Sequence, residues 1–310
     1  MEAIAGRYPR AKGGTVSGPL STAHPTNEAW VGANADDVIA KARDENFPVA
    51  MRLLPSRRRE QLLAIYAYAR LVDDVGDELE GDRLAALDWL ESELTLALAG
   101  KATHPVFVRL QQSIESANLQ EAPFRDLIEA NRRDQTVTSY ATFDDLVGYC
   151  ALSANPIGRL VLQVFDAETP ERAALSDDVC TALQVIEHLQ DVREDAERGR
   201  VYLPGEDLHA AGCTVDELTA ASASPSLRRV IAVESARARV LLGSANPLLR
   251  SLSGPSRLAI VGFAAGGLAA LDAIAAVDCD VLGQRCRPTR RRLLLHALRL
   301  RTSRRSGSNP

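Results

Sequence analysis

The chain has 310 residues and a formal net charge of −5, and it is 46% hydrophobic but only 5% aromatic. A core drawn from Leu, Ala, Val and Ile favours helices packed on helices over a sheet sandwich, and the length allows one large domain or two. Nine arginines and no acid follow Asp280, so the first 280 residues carry −14; this argues against a nucleic-acid-binding body and towards a basic tail suited to an anionic membrane.

Met1 to about Thr26 is rich in Gly, Pro, Ser and Thr without periodicity, and residues 1–34 read as a disordered lead. They contain no apolar signal core, and the five cysteines (150, 180, 213, 279 and 286) form no C-x-x-C, so the expectation is a cytoplasmic protein with reduced thiols. A helix is expected from near Asn34–Asp37, then a proline-bounded turn, ENFPVAMRLLP, over 45–55. Ser56 is a candidate N-cap for a long helix over 57–80, with Gly81 as its stop. Further helices are predicted over 83–98, 105–112, 123–133 and 143–165. The last is interrupted at Asn155-Pro156, where either a kink or a plain helix boundary fits. A central helix over 177–198 closes at Gly199. A loop over 212–225 with at most one helical turn leads to a helix over 227–242, with Arg228, Arg229, Arg237 and Arg239 outward. Residues 258–271 carry no charge, but bilayer crossing takes about 20 apolar residues, so a buried core helix is expected. Residues 288–310 read as a basic amphipathic helix with its tail, either membrane-touching or simply solvated. No internal repeat and no strand emerges.

Two stretches carry chemistry. On a wheel of about 100° per residue, Gln184, Glu187, His188, Asp191, Glu194 and Asp195 crowd one side of the central helix, while Val185, Ile186, Leu189 and Val192 take the other. Asp191 and Asp195 stack at i, i+4, where like charges repel; the face is either solvated or built around a cation. In the earlier helix, Tyr66, Arg70, Asp73 and Asp77 form a stripe with Asp74 at its edge, and Ile65, Tyr68, Leu71, Val72 and Val75 cover much of the rest. Carboxylates on a helix apolar almost all round need compensation, since an unpaired buried charge costs several kcal/mol. Two such stripes point to Mg²⁺, which takes oxygen ligands and is completed by water and phosphate oxygens, and hence to a phosphorylated substrate.

YAYARLVDDVGDE (66–78) and DVRED (191–195) followed by GRVYLP (199–204) resemble the two aspartate motifs of the squalene/phytoene synthase family. YCALSANPIGRLVLQVF (149–165) is similar to a third segment of that family. The local variants ENFPVA, QVIEHLQD and SANPIG resemble the hydroxysqualene synthase branch of bacterial hopanoid synthesis. The resemblance implies an all-α, single-domain bundle of the class I terpenoid synthase type with a central apolar channel, the catalytic part spanning 35–287. It implies two or three Mg²⁺ ions gripping a diphosphate through Asp73, Asp77, Asp191 and Asp195; Glu187, on the same face as the second pair, is a further candidate ligand from its own position. It places Asn46 and Phe47 on the substrate channel and Arg200 and Tyr202 against the leaving group. Arg70, from its place on the first acidic face, is expected to hold the diphosphate or pair with Asp73 or Asp74, and Gln184 and Gln190 on the second face are further substrate-binding candidates. By the resemblance Tyr66 and Tyr149 would face the reacting carbons, and Tyr68, off the stripe, is left to packing.

Where this chain has Glu187 and Gln190, the family usually has asparagine and arginine, so this face is less positive than usual. A site holding one diphosphate needs less cationic help than one holding two. The expected reaction is therefore conversion of presqualene diphosphate and water to hydroxysqualene, a carbon–oxygen lyase step without NADPH. The alternatives are condensation of farnesyl diphosphate to presqualene diphosphate or squalene, phytoene synthesis, and a catalytically silent assembly factor. Expected partners are the isoprenoid diphosphate, the inner face of the membrane through the basic C-terminal helix, and neighbouring hopanoid-pathway enzymes; no nucleic acid is expected. A di-iron bundle needs two E-x-x-H motifs, and the sequence has one, Glu206 to His209.

Overall fold

The computed structural model describes residues 54–302; Asn46, Phe47, the lead over 1–34 and the helix expected after it lie outside them. Among the described residues the fold is all α, with one isolated bridge between Ser139 and Val201. In chain order the helices are α1 (Ser56–Asp77), α2 (Arg83–Leu98), α3 (Pro105–Ala117), α4 (Ala122–Arg133), α5 (Phe143–Ser153) and α6 (Asn155–Val164). There follow α7 (Pro170–Gln190), α8 (Val192–Glu197), α9 (Gly205–Ala211), a 3₁₀ turn (Val215–Thr219), α10 (Pro225–Leu242), α11 (Ala245–Ser251), α12 (Gly254–Ala276) and α13 (Arg290–Thr302).

Two helices organise the rest. α1 packs against α2, α3, α4 and α6, and α7 against α5, α6, α10, α11 and α12, so α6 bridges the two groups. α1 is apolar nearly all round: Leu62, Ile65, Tyr68, Leu71, Val72 and Val75 all lie in the core. Tyr68 is a packing residue as expected. Its ring meets Phe107 and Phe124 edge-on at 5.7 and 5.4 Å, and its hydroxyl donates to the Phe124 carbonyl at 2.8 Å. Burying such a side chain contributes about 1.5–3 kcal/mol. Close approach of α12 to α7 requires Gly267, where a Cβ would press on Leu183, Leu242 and Ile186.

α12 is 23 residues long and apolar enough to cross a bilayer, yet two thirds of its most apolar window is buried among its neighbours, which makes it the expected core helix. All five cysteines are free.

Several boundaries differ from expectation. Ser56 is the first residue of α1 rather than its cap; Pro55 precedes the helix without a side-chain hydrogen bond. The central helix begins earlier, at Pro170 with Thr169 as N-cap, and breaks at Asp191, whose φ of −110° and ψ of 15° separate α7 from α8. Gly199, in the left-handed region at φ +79°, follows α8 as expected. Asn155-Pro156 proves to be a helix boundary: α6 begins at Asn155, with Pro156 in its first turn. Arg237 is not simply outward: it reaches back to the buried Glu234 at 2.5 Å. The helices α9 and α11 were not foreseen.

Candidate functional site

The two acidic stripes line opposite walls of one cleft of about 740 Å³, α1 on one side and the α7–α8 junction on the other. On α1, Arg70 and Asp74 are buried together and paired at 2.9 Å, which compensates both charges inside an otherwise apolar helix. Asp73 opens onto cleft water, yet it is ringed by protein. Desolvation by that surround pushes its carboxyl up to about 7, with Asp77 and Asp74 adding to the rise against a 3.2 Å hydrogen bond donated by Asn131. Asp77, a turn further on, accepts from Arg200 at 2.6 Å.

Across the cleft, burial pushes Glu187 up to about 8, with Asp191 and Asp195 on its own wall and Asp73 on the wall opposite adding to the rise. The two walls therefore repel one another. Asp195 lies 3.6 Å from the ring nitrogen Nδ1 of His188, and His188 stacks on Tyr202 with centroids 3.8 Å apart and planes 11° from parallel.

Behind this acid layer stands an aromatic group built on one aspartate. Tyr149 and Tyr202 both donate their hydroxyls to the buried Asp134, at 2.6 and 3.2 Å, and Tyr140 stacks on Tyr202. Burial raises the Asp134 carboxyl despite the Tyr149 hydrogen bond and the nearby Arg200. Burial likewise raises both tyrosines, so their hydroxyls remain donors. The return after α8 is held in place by backbone bonds to the α4–α5 connection: Val201 N–H to Thr138 at 2.8 Å and Gly205 N–H to Tyr140 at 2.9 Å. These bonds bring Tyr202 beside Tyr140 and Asp134.

The third wall is the segment 281–288 between α12 and α13, which contributes Arg285 and Arg287. Gln190 donates its amide to the Cys286 carbonyl and so ties this segment to α7. That contact occupies the amide that was expected to meet substrate.

The cleft lining carries nine carboxylates against six arginines. Among the described residues no three His, Cys, Asp or Glu side chains converge on one point to hold a metal by themselves. The donors are carboxylate oxygens spread along two facing walls and under mutual repulsion, which suits a hard divalent cation that takes one or two carboxylates and fills its remaining positions with water and phosphate.

Of the residues singled out from sequence, the structure brings Arg70, Asp73, Asp77, Tyr149, Gln184, Glu187, Gln190, Asp191, Asp195, Arg200 and Tyr202 onto this cleft. Tyr66 is half-buried and does not line it; Asn46 and Phe47 lie outside the described residues. Sequence reasoning missed Asn131, Asp134 and Tyr140 as members of the site. Asn131 and Asp134, three apart at the end of α4, share a helix face, and that spacing was the available signal. Tyr140 and the 281–288 segment offered none.

A family profile described as squalene/phytoene synthase matches residues 40–292. The hydroxysqualene synthase of Rhodopseudomonas palustris is 39% identical over 210 residues, covering 66% of this chain and 70% of that protein. The hydroxysqualene synthase of Zymomonas mobilis is 38% identical over 206 residues, covering 64% and 68%. Among solved structures, a squalene synthase from Alicyclobacillus acidocaldarius superposes with a TM-score of 0.74 at 41% identity, covering 83% of this chain and 97% of that one.

Proposed function

This chain belongs to the squalene/phytoene synthase family of enzymes, which act on isoprenoid diphosphates, and we propose that it converts presqualene diphosphate and water to hydroxysqualene with release of diphosphate. The observation that carries this reading is the charge of the cleft, nine carboxylates against six arginines, with the Gln190 amide engaged by the protein itself. Such a wall has little cationic capacity for two prenyl diphosphates at once. The names of the two relatives at 38 and 39% identity support the same reaction.

Asp73, Asp77, Asp191 and Asp195, with Glu187 beside them, would hold Mg²⁺, which when bound supplies positive charge to the departing diphosphate. Arg70 and Arg200 sit at opposite ends of the α1 stripe, each against an aspartate, Asp74 and Asp77. In the reading proposed here their guanidinium groups turn N–H donors to the diphosphate oxygens, a bidentate geometry to which arginine is suited. Departure of diphosphate leaves a cyclopropylcarbinyl cation. The π faces of Tyr149 and Tyr202 are fixed by hydroxyl bonds to Asp134, and a desolvated cation–π contact is worth about 2 kcal/mol. Water adds to the rearranged cation, so no nicotinamide is required. The reading carries a cytoplasmic location with it, where farnesyl-derived diphosphates meet reduced thiols.

The test is product analysis with purified protein and Mg²⁺, given presqualene diphosphate or farnesyl diphosphate, with and without NADPH. The expected result is a C30 alcohol from presqualene diphosphate, indifferent to NADPH, and no turnover of farnesyl diphosphate. Consumption of farnesyl diphosphate to presqualene diphosphate or squalene would assign the chain to the condensing reaction, the reading favoured by the name of the Alicyclobacillus relative.

A further inference from the structure

The helix α13 is fixed on the protein along one side only. Inward, Leu300 is buried and His296 meets Asp272 of α12 at 2.8 Å; Arg292 donates to the Asp272 carbonyl, and Arg257 donates to the Leu300 and Arg301 carbonyls at 3.3 and 3.2 Å. These contacts hold both ends of the helix and set its rotation. The opposite side then faces solvent with Leu294, Leu295 and Leu298 at 60, 44 and 58% exposure. On a wheel of about 100° per residue these three span one arc, Arg291 falls among them, and Arg299 and Arg301 lie at its two edges. Three leucines presented outward by a rigidly seated helix make an unpartnered apolar face, and arginines with long aliphatic stems rim it.

We propose that this face docks on an anionic lipid bilayer, lying in the headgroup plane with the leucines dipped into the acyl boundary. Charge selects this occupant. The face carries Arg291, Arg299 and Arg301, and α13 holds no acid, in a chain whose first 280 residues carry −14. A second copy of the same face would set arginine against arginine, whereas anionic headgroups complement it. An interfacial helix takes this form: a basic polar rim around an exposed apolar strip, with attraction to anionic lipid adding to apolar burial. The docking helix begins two residues beyond Pro288, the end of the segment that walls the cleft, so the surface is continuous in sequence with the site.

The test uses the full chain in vesicle sedimentation, with phosphatidylcholine alone and with phosphatidylcholine containing phosphatidylglycerol. Wild type is expected to bind the anionic vesicles, to release as salt rises, and to leave neutral vesicles in the pellet without it. Arg291→Gln with Arg299→Gln lowers partitioning about fivefold per arginine, and Leu294→Ser with Leu298→Ser lowers it about tenfold or more with every charge retained. Both pairs are solvent-facing and should melt with wild type, which separates loss of docking from loss of fold. Failure of wild type to bind anionic vesicles would overturn the proposal, as would equal binding by the leucine pair. So would a wild-type dimer in light scattering that the leucine pair converts to monomer, since that assigns the face to a second copy.

Discussion

Glu187→Gln keeps the shape of the side chain and removes one of the carboxylates that face each other across the cleft. Burial, then Asp191, Asp73 and Asp195, raise the Glu187 carboxyl from 4.5 to about 8. Within that window the folded chain holds a proton that the unfolded chain releases, so wild-type stability falls as pH rises from 4.5 to about 8 and stays low above it. An isolated, unscreened group would contribute about 4–5 kcal/mol across the window, at about 1.4 kcal/mol per pH unit. Cleft water and the shared titration with Asp73 reduce this to about 1–2 kcal/mol. For a chain of this size that corresponds to about 2–8 °C in melting temperature. The assay is thermal melting of both proteins from about pH 5 to about pH 9, first with a chelator and then with Mg²⁺ and inorganic diphosphate. Without metal, the two proteins should melt together at the acid end, and the glutamine variant should melt higher at the alkaline end. With Mg²⁺ and diphosphate the wild type should gain more than the variant. Equal pH slopes, or a variant that melts lower at every pH, would refute the electrostatic account of this wall.

Four further outcomes follow from the same geometry. Arg200→Gln removes the 2.6 Å partner of Asp77 and a charged donor facing the cleft, and kcat/KM should fall about 10²-fold or more in steady-state assays. Asp134→Ala strands the hydroxyls of Tyr149 and Tyr202, at about 1–3 kcal/mol each by urea denaturation, and Asp134→Asn should recover part of the loss through its amide oxygen. Gly76→Ala would drive a Cβ into the Asn131 amide that bonds Asp73, and about 1–3 kcal/mol of stability should be lost in the same assay. Arg237→Met removes the 2.5 Å partner of Glu234, a carboxyl buried to 1% exposure and pushed up to about 7 by that burial. Ionisation of Glu234 then goes uncompensated, so denaturation should show a loss of about 3–5 kcal/mol at alkaline pH and a smaller one at acid pH.

The helical class, the position of Tyr68 in the core and the burial of the charge-free stretch in α12 were legible because each is a periodic property of one helix. The acidic stripes were legible for the same reason: Asp73 and Asp77, or Asp191 and Asp195, share a face by spacing alone. The break at Asp191 was not legible. Helical spacing continues through it, and the backbone bond from Asp195 to Asp191 at 2.9 Å keeps the carboxylates in step while the axis changes. The ends of α1 and α7 were displaced because cap preferences are weak beside packing: Pro55 and Thr169 set those ends, and the expected Ser56 does not cap.

By itself the sequence determined which residues could share a helix face and where charge accumulates, since both depend on neighbours within a few turns. Only the tertiary structure decided that the two stripes oppose each other across one cleft and that Arg200 meets Asp77, 123 positions away. It alone joined Asp134 to Tyr202 and spent Gln190 on the Cys286 carbonyl. Those pairings depend on how α1, α6 and α7 pack and on the backbone bonds that seat the return after α8. No local pattern encodes them, because the partners lie far apart in the chain and meet only when the apolar faces of those helices are buried together.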